Sequence, residues 1–167
     1  MARKKAGQKL EIGQFIIYFI YMKACEIYFR EDAIYVFSQC ETENGIGVSC
    51  DPKIKIDPNS SFKVMGEAVI SALNASRKVP QPKNLREVTK TMLKFVGFKT
   101  WKAFSFGASC FLISYDGTDV TIMPTIAAGN GAFDHLPDKA IKCTFDSEKI
   151  GEEIYDLKNN QRKYVRH

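Results

Sequence analysis

The hydrophobic period changes several times along this chain, but never in the strand, helix, strand rhythm that a parallel sheet needs. From Glu26 to Cys50, β-rich runs alternate with turn residues: Ile27-Tyr28-Phe29, a turn at Arg30-Glu31-Asp32, Ala33 to Phe37, a polar stretch with Asn44-Gly45, then Ile46 to Cys50. That alternation predicts two or three antiparallel strands joined by short turns. Lys53 to Ile56 adds a further strand segment, ended by Pro58. Past Pro58 the period becomes 3.6, with Phe62, Met65, Val69, Ala72 and Leu73 on one stripe and Ser60 or Ser61 as N-cap. Val79-Pro80-Gln81-Pro82 is an extended connector. Asn84-Leu85-Arg86-Glu87 reads as a capping box for a second helix, with Leu85, Val88, Met92, Phe95 and Val96 on its stripe and Gly97 just past its end.

Strand signals then return. Thr100 to Phe106, Cys110 to Tyr115 and Asp119 to Met123 read as a meander, with Gly107 and Asp116-Gly117 as turns. Ala127 to Leu136, with Gly129-Asn130-Gly131, reads as a surface loop, and Lys139 to Phe145 as a last strand. Asp146 caps a third helix carrying Ile150, Ile154 and Leu157 on one face, with Glu148 in its first turn. Ile12 to Phe29 is dense in Ile, Phe and Tyr without a sustained period, which fits a strand pair or a helix equally. The expected fold is a single α+β domain, a bent antiparallel sheet packed against two or three helices, spanning residues 10–157 between a flexible basic arm (1–9) and a basic tail (158–167).

The charge has a location. The chain carries 24 Lys+Arg against 19 Asp+Glu, a net of +5. Residues 1–9 hold Arg3, Lys4, Lys5 and Lys9 and no acid, and residues 158–167 hold Lys158, Arg162, Lys163 and Arg166 and no acid. These ends carry +8 between them, which leaves residues 10–157 at −3. The nucleic-acid signal therefore belongs to the ends and not to the body of the chain. The basic start followed by Phe15 to Met22 has the outline of a signal peptide, but Glu11 interrupts it and no small-x-small cleavage site follows. The run is also shorter than the ~20 residues of a membrane span. A cytoplasmic protein that needs no membrane is the expectation.

Catalytic signatures are missing. There is no phosphate-binding loop, no H-E-x-x-H and no G-x-S-x-G in the sequence. Cys25, Cys40, Cys50, Cys110 and Cys143 are odd in number, and no two are spaced C-x-x-C, so neither a disulfide framework nor a metal knuckle is indicated. They read as small buried thiols of a reducing compartment. A cysteine hydrolase would pair Cys110 or Cys143 with His135, since the other histidine, His167, is terminal. Phe98 to Phe106 mixes aromatics with lysines like a nucleic-acid stacking platform. Strand alternation there places Lys102, Phe104 and Phe106 on one face, which suits a sheet packed on helices. No metal or other cofactor is implied.

Short motifs carry a resemblance. Ala72-Leu73-Asn74-Ala75-Ser76-Arg77 before Pro80-x-Pro82, Lys99-Thr100-Trp101-Lys102-Ala103-Phe104, and Pro124-Thr125 followed by a Gly-rich loop to Phe133 and Leu136 resemble the bacterial immunity proteins of the CdiI type. The likeness spans roughly residues 60–140. It implies a small cytoplasmic protein that binds and neutralises the C-terminal toxin domain of a CdiA protein, often a nuclease, in a one-to-one complex that covers the toxin's active site. It also implies no enzymatic activity and no obligatory nucleic acid. A small nucleic-acid-binding module using the basic ends and aromatics is the alternative.

For contact with such a toxin, chemistry alone suggests candidates. A nuclease cleft is basic, so acidic clusters are its complement. Glu41, Glu43 and Asp51 form one cluster near turn signals, and Asp116, Asp119, Asp134 and Asp138 form a second. Phe133 and His135 beside the second supply a candidate anchor. Solvated turn carboxylates are the plain reading of both.

Overall fold

The computed structural model describes residues 22–129 and 131–164, with side chains to residue 161. The basic arm, most of the Ile12 to Phe29 run before Met22, Asn130 and the last three residues lie outside this description. Strands β1 (Lys23–Phe29), β2 (Ile34–Thr42), β3 (Gly47–Ile56), β5 (Ser109–Tyr115), β6 (Asp119–Gly129) and β7 (Ala132–His135) form a sheet in the order β3-β2-β1-β5-β6-β7. β8 (Ile141–Thr144) also pairs with β6, and the two-residue β4 (Lys78–Val79) pairs with β2. All pairings are antiparallel except β2 with β4. Four helices complete this single α+β domain: α1 (Phe62–Ala75), α2 (Leu85–Val96), the short α3 (Trp101–Ser105) and α4 (Ser147–Tyr164).

The sheet has two dry faces because its strands alternate between two apolar sets. Cys25, Ile27 and Phe29 of β1, Ile34 and Val36 of β2, and Phe111 and Ile113 of β5 pack with Met65, Val69 and Leu73 of α1 and Ile150 and Ile154 of α4. The intervening Tyr28, Tyr35, Phe37 and Cys110 face Met92 and Val96 of α2 and Phe104 of α3. The two helical layers are seated differently. On the first face, α1 and α4 touch backbone to backbone: a β-carbon on Gly66 would lie 1.7 Å from the Ser147 carbonyl oxygen, and one on Gly151 2.0 Å from that of Phe62. On the second, α2 buries only Met92 and Val96 and leaves Leu85 at 45 % exposure.

Capping explains where the longer helices begin and end. Ser61 accepts from the Val64 amide, Asn84 from Arg86 and Asp146 from Lys149, each satisfying a free N–H of a first turn. Gly97 closes α2 at φ 78°, a left-handed value that glycine reaches without strain.

Three expectations need correction. Thr100 to Phe106 is not a strand: Thr100 accepts from the Ala103 amide and starts α3, so Phe104 is fully buried while Phe106 is 84 % exposed. Two residues of helix rotate the chain by about 200°, which parts two aromatics that strand alternation would have put on one face. Ala127 to Leu136 is not a loop but the end of β6 turning into β7, and Gly129 and Gly131, at φ 88° and 84°, make the turn. The cysteines are not all free, because Cys40 and Cys50 form a disulfide. Cys40 lies opposite Val48, and Cys50 opposite Ser38, so the register of β2 and β3 sets the two side chains diagonally on one face with Cα atoms 5.9 Å apart. Sequence spacing does not show a diagonal. Cys25, Cys110 and Cys143 are free and buried.

Candidate functional site

A cleft of about 590 Å3 opens on the second face of the sheet, beneath the N-terminal half of α2. Its floor is the set of outward positions next to the aromatic core: Glu26 and Tyr28 of β1, Gln39 of β2, Cys110 of β5 and Thr125 of β6. Its walls are Ile46 to Ser49 leading into β3, Leu85, Val88 and Met92 of α2, Trp101 of α3, and Phe133 and His135 of β7. The β6–β7 turn is pinned to α3 by the Trp101 indole, which donates to the Gly131 carbonyl at 2.8 Å. α3 is held in turn by Arg30, whose guanidinium donates to the carbonyls of Phe104 and Phe106 and stacks on the Phe98 ring at 4.5 Å.

Glu26 is the unexpected element. It sits between Cys25 and Ile27 in a core strand, where a carboxylate is costly unless hydrogen-bonded. The Tyr28 hydroxyl donates to its Oε2 at 2.8 Å and the Gln39 amide donates to the same oxygen at 2.9 Å. Burial pushes the Glu26 carboxyl pKa up against the lowering effect of the Tyr28 bond. Burial and then the Glu26 charge raise the Tyr28 hydroxyl and the Cys110 thiol as well, so Cys110 stays protonated. Burial lowers the His135 imidazole below its ordinary value, with Asp134 opposing the shift, so the ring is mostly neutral at pH 7.

The anticipated contact residues are dispersed. Phe133 and His135 line the cleft, but β7 alternation turns Asp134 out to solvent. Asp119 lies at the opposite end of β6, six residues and roughly 20 Å from the position paired with His135, and Asp116 stands in the turn before it. Asp116 is engaged in its own turn, its Oδ1 accepting from the Thr118 and Asp119 amides, and those bonds hold its pKa down. Asp138 pairs with Lys139 at the surface. Glu41 and Glu43 stand on the β2–β3 hairpin whose far strand forms a cleft wall, and Asp51 pairs with Lys53 at 2.7 Å on the exposed bulge. Cys110 shares the cleft with His135, whereas Cys143 belongs to the core on the other side of the sheet. Thiolate chemistry at Cys110 is disfavoured by its raised pKa. The lysine-flanked aromatics of 98–106 do not share one face, since Phe104 is core and Phe106 is exposed. Glu26, Tyr28 and Gln39 form no motif in the sequence, because their proximity depends on strand pairing. Its one visible signal was a carboxylate in an apolar β-rich run.

The family described as CdiI, CDI immunity protein, matches residues 23–157, which takes in every strand and most of α4. The chain belongs to the CdiI family. No curated protein matches this CdiI chain. Its fold also occurs in solved structures. A Neisseria meningitidis protein of unknown function superposes with a TM-score of 0.66 at 15 % identity, covering 78 % of this chain and 90 % of that one. A chain of the CdiA-CT/CdiI toxin and immunity complex from Yersinia pseudotuberculosis gives 0.67 at 16 % identity, covering 81 % and 95 %. Among the described residues of this CdiI protein, no helix is long and apolar enough to cross a membrane, and no cluster of His, Cys, Asp and Glu could hold a metal ion.

Proposed function

We propose that this CdiI protein binds the C-terminal toxin domain of a cognate CdiA-type protein in the cytoplasm and neutralises it in a one-to-one complex, without catalysis of its own. The family match over residues 23–157 carries the reading. The toxin is of nuclease type and its active site is covered in the complex: the body of the chain is net acidic, and an acidic surface complements a phosphate-binding cleft and speeds encounter with it. The contact surface runs from Glu41 and Glu43 on the β2–β3 hairpin across the cleft mouth to Phe133, Asp134 and His135. Asp51, Asp116 and Asp119 lie toward its margins. Aromatic Phe133 supplies the kind of anchor that rim charge lacks.

Co-expression with the toxin domain encoded beside it tests the proposal. Growth should be rescued, the purified pair should elute as a one-to-one complex, and the toxin's nuclease activity should fall to zero at equimolar immunity protein. Toxicity that persists at stoichiometric excess would reject it.

A further inference from the structure

We propose that the cleft floor is a receptor for one basic side chain, lysine or arginine, presented by the toxin domain, with Glu26 as its counter-charge. This rests on the toxin-binding reading above and adds to it the chemistry of one contact. Among the described residues, both hydrogen bonds that Glu26 receives end on Oε2, which leaves Oε1 as the carboxylate oxygen for an incoming donor. Ser49, on a wall of the same cleft, has a buried Oγ with no hydrogen-bond partner. A buried orphan hydroxyl is uncommon in native proteins and asks for a group to satisfy it.

The sign of that group follows from what surrounds it. Among the described residues no lysine or arginine lines the cleft, and the His135 imidazole is held toward neutrality by burial. An anion would meet the Glu26 carboxylate with like charge, and an apolar side chain would seal Oε1 and the Ser49 hydroxyl away unpaired. An ammonium or guanidinium gives Glu26 a charge-assisted hydrogen bond in a partly desolvated site. Leu85, Val88, Met92 and Phe133 suit the methylene stem of such a side chain. A volume of about 590 Å3 leaves room for backbone on either side of the side chain, which favours a polypeptide over a free amine.

Calorimetric titration of the full chain with the CdiA C-terminal domain encoded beside it is the test. Glu26→Gln should weaken binding about 30-fold or more, roughly 2 kcal/mol, and Glu26→Asp should recover part of the loss. Alanine replacement of each toxin lysine and arginine, read against the wild-type immunity protein, should find one position with a matching loss that is not additive with Glu26→Gln. Binding of Glu26→Gln within threefold of wild type, or additivity at every basic toxin position, overturns this inference while leaving the toxin-binding reading intact. Failure of the wild-type chain to bind the toxin overturns both.

Discussion

Glu26 sets a measurable signature on stability because burial raises its carboxyl pKa in the folded protein. A raised pKa means that the native state holds the proton more tightly than the unfolded chain does. The contribution is therefore full below the unfolded carboxylate value, ~4.3, and is lost as pH rises through the folded value. Glu26→Gln removes this dependence. Urea unfolding should find the variant at least as stable as wild type at pH 7.5, with the gap narrowing toward pH 5. His135 acts in the opposite direction: its lowered pKa favours the unfolded state once the ring is protonated, so stability falls as pH drops below ~6.5. Replacing His135 by Gln should reduce that acid-side loss in the same urea series. Single residues were the least legible level of the sequence. Asp116 was read correctly as turn chemistry because its partners are two and three residues away. Glu26 was missed because Gln39 reaches it from another strand.

Among elements, α1 and α4 meet backbone to backbone. Gly66 and Gly151 have no room for a methyl group, since each would drive a β-carbon into the carbonyl of the facing helix. Neither glycine has a positive φ, so the constraint is approach and not backbone conformation. Gly66→Ala or Gly151→Ala should cost about 1–3 kcal/mol or more as an overpacking change, despite the gain of roughly 0.5–1 kcal/mol that alanine normally brings to a helix interior. Thermal unfolding of each variant checks this, and a neutral or raised Tm would contradict the packing described. Elements were legible where caps and periodicity agreed: Ser61, Asn84, Gly97 and Asp146 all stand where the sequence placed helix ends. α3 was not, because a five-residue helix is too short to reveal a 3.6 period. β7 was hidden by the glycines that make its turn.

At the scale of the molecule, the Cys40–Cys50 bond staples the hairpin that supplies one wall of the cleft. Closing so short a loop restricts the unfolded chain by about 3 kcal/mol in the loop-entropy account. Dithiothreitol should lower the unfolding free energy by about that amount, and Cys40→Ala plus Cys50→Ala should make the protein indifferent to reductant. The α+β architecture was readable from the order of periods, but the cleft was not: it forms where β1, β5 and β7, far apart in the chain, meet under α2. The cleft agrees with the acidic balance of residues 10–157, since none of its described lining residues is lysine or arginine.

The sheet itself separates two cores that share no side chain. One layer of backbone works as a partition, so damage on one side is not transmitted as lost packing on the other. Val69→Ala behind the sheet and Met92→Ala in front of it should add in free energy to within ~0.5 kcal/mol. A protein divided in this way can have its front rewritten for a new partner while its back goes on specifying the same fold.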